Sequence, residues 1–258
     1  MTSKGAKKNL KQNKRIPRIS TRGFYDLSSG KTIKKKPYDL YPKKFFEKLG
    51  EAPEFTIMIH GLRNNKKDAL KKFRIAQTRL RQLGYRHHVV GFSYDSNVWG
   101  VQYKSHVHHA MAVGRFIAKK NGRNLAKFIL DSKKKSPNTK IRLIGHSLGS
   151  EVITHTIFNL RNKKNMIEDV CFFGSSIPAN SISSQKFARI LRTVVRKKLL
   201  NHYNPNYEVL RSAVYYKIIE NPISCYGIGT KRIPKYAQKQ VKSKDHSFAS
   251  YAAKMTSF

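Results

Sequence analysis

The chain has 258 residues, with 53 Lys plus Arg against 14 Asp plus Glu, a net charge of +39. That is far from the charge balance of an ordinary soluble enzyme, and such a surface attracts polyanions at low salt. At 39% hydrophobic and 11% aromatic residues the chain can bury a sizeable core, which excludes wholesale disorder. No apolar run approaches the ~20 residues of a membrane-spanning helix. There is no apolar segment near the start to act as a secretory signal. Two cysteines, Cys171 and Cys225, make no disulfide framework, so a reducing, cytoplasmic setting is expected.

Residues 1–22 are rich in Lys, Ser and Asn and lack any acid, and a second basic stretch covers residues 31–42. Residues 1–45 are therefore expected to form a basic, largely disordered N-terminal arm, and 46–258 the folded domain. The first expected strand is 55–60, an apolar run. A helix follows over 68–83, with Leu70, Phe73, Ala76, Leu80 and Leu83 on one face and Lys and Arg on the other, closed by Gly84. Strand 88–93, helix 110–130, strand 140–144, helix 150–160, strand 169–173, helix 187–195, strand 198–203 and a short helical ending over 248–255 complete the series. This alternation of strand and helix predicts an α/β fold, a mostly parallel sheet with helices on both faces.

Gly145-His146-Ser147-Leu148-Gly149 matches G-x-S-x-G, with an expected strand ending at it and an expected helix beginning after it. That setting is what a nucleophile elbow requires. The serine sits on a sharp strand-to-helix turn that lifts its hydroxyl above the sheet. The glycines leave room for the tight turn, and the helix N-terminus behind it favours developing negative charge. Upstream, Ile57-Met58-Ile59-His60-Gly61 ends another expected strand.

With Gly91-Phe92-Ser93-Tyr94 and the late Asp245-His246-Ser247, these segments make the chain resemble the α/β-hydrolase superfamily from about residue 54 to 251, and within it the small lipase- and esterase-like serine hydrolases. The resemblance implies an α/β-hydrolase domain over 46–258 with no large cap, a serine nucleophile at Ser147, and an oxyanion hole from the N–H groups of Leu62 and Leu148. Of the ten histidines, three follow Ser147 in the chain. His155 lies on the helix leaving the elbow and cannot curl back, and His202 falls in an expected strand, so His246 is the general base. The segment before Val209-Leu210 is similar to the family's acid loop, but Tyr207 stands where an aspartate is usual. Glu208, one residue on, is the candidate acid that orients His246. Glu220 comes late, and Asp245 adjoins the histidine it would have to orient.

His106 and His109 share a helix face, yet no Cys or carboxylate lies close in sequence to complete a metal site. No phosphate-binding glycine loop follows a strand, so no cofactor is implied. Two functional readings stand. In the first, Ser147 attacks a small-molecule ester or lipid substrate. In the second, an impaired hydrolase scaffold binds nucleic acid or an anionic membrane through its basic surface. Either reading accommodates non-specific contact of the basic arm with a polyanion or an anionic membrane.

Overall fold

The computed structural model describes residues 16–206, 208–229 and 232–257. Eight strands form one sheet, in the order β2-β1-β4-β3-β5-β6-β7-β8. In chain order they are β1 (Arg18–Ser20), β2 (Asp39–Tyr41), β3 (Glu54–Ile59), β4 (His88–Ser93), β5 (Lys140–His146), β6 (Val170–Phe173), β7 (Leu199–Tyr203) and β8 (Tyr236–Gln240). Neighbours run parallel throughout except β1 with β2. The helices are α1 (Lys43–Lys48), α2 (Lys66–Gln82), α3 (Val107–Lys135), α4 (Gly149–Asn159), α5 (Ala179–Ile182), α6 (Gln185–Val194), α7 (Glu208–Tyr215), α8 (Ile223–Tyr226) and α9 (Phe248–Ala253).

Parallel strands need crossovers, and the crossovers place helices on both faces. The two-residue period of the central strands divides the core accordingly. Ile57 and Ile59 of β3, with Leu143 and Phe172, face the cluster under α3, α4 and α6. Met58, with Ile144, Cys171 and Phe173, faces Phe73 of α2 and Phe248 and Tyr251 of α9. All six residues of β3 are buried, which is why that strand reads as a continuous apolar run rather than an alternating one. The start of α2 is set by Asn65, whose side chain accepts from the N–H of Asp68. The segments joining β6 to β7 and β7 to β8 hold only short helices, and among the described residues no large cap covers the sheet. Among the described residues no helix is long and apolar enough to cross a membrane.

The expected arm of residues 1–45 requires correction. Its first 15 residues lie outside the described residues. Beyond them, Arg18–Ser20 and Asp39–Tyr41 are strands of the sheet. β1 pairs in parallel with β4, from Arg18 opposite Gly91 to Ser20 opposite Ser93, and β2 pairs with β1. Ile19 and Phe24 are fully buried. The turn after β1 is fastened by Asp95, whose carboxylate accepts from the N–H groups of Gly23 and Phe24 at 2.8 and 3.2 Å. The physical reason is that a three-residue strand bonded to an existing sheet edge needs few apolar residues of its own.

Candidate active site

The site forms at the C-terminal ends of β3 and β5. Ser147 follows β5 with φ 53°, in the left-handed region that non-glycine residues avoid, at a cost of ~1–3 kcal/mol. The surrounding backbone holds it there. The N–H of Ser147 donates to Phe173 O at 2.9 Å, and its own carbonyl accepts from Ser150 N–H at 2.9 Å as α4 begins. A Cβ at Gly149 would lie 2.5 Å from the carbonyl oxygen of Ile59, so only glycine lets the elbow pack on the end of β3. The expected strand–turn–helix setting of the G-x-S-x-G segment is therefore present.

His246, which follows a basic loop and immediately precedes α9, brings Nε2 to 2.9 Å from Ser147 Oγ. Its placement comes from local bonds on both sides. Asp245 Oδ1 accepts from the N–H and hydroxyl of Ser247 at 2.9 and 2.6 Å. The backbone carbonyl of His246 accepts from His146 Nε2 at 2.8 Å. Burial, with the charge of Lys72, lowers the pKa of His246 to about 4. The ring is therefore neutral at physiological pH, and a neutral imidazole can accept the Ser147 Oγ–H proton at Nε2.

The chain after β3 passes directly over the nucleophile. A Cβ at Gly61 would lie 2.8 Å from that of Ser147. The N–H groups of Leu62 and Leu148 have no acceptor among the described residues, whereas the loop's carbonyls are engaged. Neutral His60, its pKa held down by burial, donates from Nδ1 to Gly61 O at 2.9 Å. Asn64 Nδ2 donates to Gly61 O and Leu62 O at 2.9 and 2.6 Å. Arg22, from the turn after β1, spans the whole arrangement. Its Nη2 donates to Asn64 O and Asn65 O at 3.1 Å each and approaches His60 Nε2 at 3.3 Å, while Nε donates to Ser93 Oγ at 2.6 Å. Next to this loop, Arg63, Tyr103, His108 and Tyr216 border a cavity of about 340 Å³.

The structure does not bring Glu208 to His246. Glu208 is exposed in the first turn of α7, and it makes no hydrogen bond or ion pair with the imidazole. α7 begins at Glu208 itself, so the side chain leaves with the helix surface instead of turning into the site. Asp245, the sequence neighbour, spends its carboxylate on Ser247, and Glu220 is exposed. Tyr207 lies outside the described residues. Of the other histidines, His202 stacks on Phe173 with ring centroids 4.4 Å apart, and His155 is on α4. His109 bonds Ser28 O through Nε2, and His106 lies against the Trp99 ring.

Two cations at the site escape sequence reading. Arg22 falls in the segment expected as an arm. Lys72 falls among the outward-facing cations of α2, yet burial lowers its pKa to about 8 and its charge acts on His60, His146 and His246. No pattern marks either among 53 cationic residues.

Residues 97–257 match the model of a family described as "Protein of unknown function (DUF726)". No curated protein matches the chain. Among solved structures, a lipase-esterase related protein from Clostridium acetobutylicum ATCC 824 is similar, with 12% identity over 76% of this chain and 88% of that one and a TM-score of 0.39.

Proposed function

The chain belongs to the DUF726 family, whose description assigns no activity, and from its own site we propose that it is a serine hydrolase that cleaves esters through an acyl-enzyme on Ser147. The observation that carries this reading is the 2.9 Å approach of His246 Nε2 to the hydroxyl of a serine held at positive φ on a strand–helix turn. A serine hydroxyl is a poor nucleophile until a neighbouring base takes its proton, and this geometry supplies one.

In the proposed reaction, Ser147 Oγ attacks the ester carbonyl as its proton passes to His246 Nε2. The carbonyl oxygen becomes an oxyanion and takes the N–H groups of Leu62 and Leu148, both of which lack an acceptor among the described residues. Collapse expels the alcohol, which receives the proton from His246. Water, deprotonated by the same imidazole, then releases the acid and restores Ser147. The cavity beside Arg63 would take one arm of the ester. Glu208 has no part in this reaction, since it stands away from His246. Two buried cysteines, Cys171 and Cys225, with no disulfide between them, suit a cytoplasmic setting.

Hydrolysis of p-nitrophenyl acetate and butyrate by wild type, Ser147→Ala and His246→Ala tests the reading. Turnover by wild type that both substitutions remove is expected. Equal rates in folded wild type and Ser147→Ala would overturn it.

A further inference from the structure

At the opposite end of the sheet from Ser147 lies a cleft of about 500 Å³ between α2, the start of β4 and the chain entering β1. That volume is in the range of ligand-binding clefts. Arg74, Arg81 and Arg86 line it, and none of its eleven lining residues is acidic. Arg74 and Arg81 are seven residues apart on α2, hence on one face two turns apart. Arg81 and Arg86 are exposed, and their side chains have no hydrogen bond or ion pair among the described residues. The planar forks of guanidinium groups match phosphate oxygens.

The walls between these cations are aromatic. Tyr85 and His87 meet edge to face with ring centroids 5.3 Å apart, and Phe45 and His88 do so at 5.1 Å. Both pairs border the cleft. Guanidinium groups interleaved with rings are what an unpaired nucleic acid strand needs, the cations following phosphates and the rings offering surfaces to bases. A duplex conceals its base faces, and a flat bilayer does not enter a recess. The cleft also stands where the chain joins its most basic segment. Ile16 and Pro17 form part of the wall, and the 15 preceding residues carry six cations and no acid. A second basic concavity, bordered by Arg161, Lys186 and Arg189, has no aromatic lining and gives an internal control.

We propose that this cleft binds single-stranded nucleic acid, at a site separate from Ser147 and independent of the esterase reading. Fluorescence anisotropy of a labelled 15-nucleotide oligo(dT), at 50 and 200 mM salt with the full-length chain, tests it. Replacing Arg74, Arg81 and Arg86 together by Gln should weaken binding at least tenfold. It should also lower the salt slope by about 2, from three phosphate contacts at ~0.7 each. The double variant Arg81→Gln/Arg86→Gln, at exposed positions, should weaken binding by a smaller factor and melt like wild type. The control Arg161→Gln/Lys186→Gln/Arg189→Gln removes the same charge from that second concavity and should change affinity less than threefold. Ester hydrolysis should be unchanged in all three. Equal weakening by the cleft and control triples would overturn the proposal, because charge alone would then explain binding. So would undiminished binding in the cleft triple, tighter binding of duplex of equal length, or a cleft-triple defect confined to phosphatidylserine vesicles.

Discussion

The two ends of the sheet handle burial of polar groups in opposite ways. At the C-terminal ends of β3 and β5, the site's histidines are kept neutral. His60, His146 and His246 are all pushed below their ordinary pKa by burial, with Lys72 adding to the effect. At the N-terminal ends of β3, β5 and β6, the buried carboxylates keep their charge and are paired. Arg142 joins Glu54 at 2.6 Å and Asp169 at 2.7 Å, and Glu168 pairs with Arg196 and Lys197. A paired ion fixes strands in register but has no proton to exchange near neutral pH. A neutral imidazole beside a hydroxyl can accept one. In a chain of net charge +39, the contact between Ser147 and His246 thus lies among neutral imidazoles, with Lys72 and Arg22 as the cations beside it.

This contrast can be attacked from either end, starting with the largest effect. Replacing His246 by Ala should reduce kcat for a p-nitrophenyl ester by on the order of 10⁴-fold or more, without lowering the melting temperature. Replacing Arg142 by Met should do the reverse. It strands the carboxylates of Glu54 and Asp169, and chemical denaturation should show a loss of about 3–5 kcal/mol, with kcat kept while the protein is folded. Arg22→Ala tests whether the loop after β3 depends on the turn after β1. Its kcat should fall on the order of ten- to a hundredfold with KM nearly unchanged, and Arg22→Lys should recover part of the loss.

The smallest effect is in pH. A group protonated with a pKa of about 4 leaves the base competent above that value. So kcat/KM should stay flat from pH 8 to 5, where an ordinary histidine base would lose about thirtyfold. Lys72→Met removes a positive charge that disfavours the imidazolium form, and should move the acid limb upward. The same depression has a stability consequence. His246 and His202, both lowered to about 4, bind protons more readily in the unfolded chain. Their stabilising contribution is present above pH 6.5 and is lost as the pH falls toward 4, which thermal melts across that range will show.

What could be read in the sequence was what is fixed locally. The elbow needs two glycines, a serine and a strand–helix junction within a dozen residues, so Ser147 and the order of β3 to β7 were legible. His246 was reached by chain order and elimination, and its Nε2 stands 2.9 Å from Ser147 Oγ. β1, β2 and β8 were missed because they are short or polar strands defined by what they pair with. β8 reads Tyr-Ala-Gln-Lys-Gln, with three exposed residues. Glu208 failed as the triad acid because sequence shows a carboxylate near the right place in the chain but not the helix start that carries it outward. Arg22 and Lys72 act through distant partners, and among so many cations nothing in spacing separates them from the surface.

The central claim is that Ser147 is a nucleophile activated by His246, and covalent labelling tests it most directly. Incubation with a fluorophosphonate followed by intact-mass and peptide analysis should give one adduct, located on Ser147, that is lost in Ser147→Ala and strongly slowed in His246→Ala. A folded wild-type protein left unlabelled, or labelled equally fast without His246, would contradict the account.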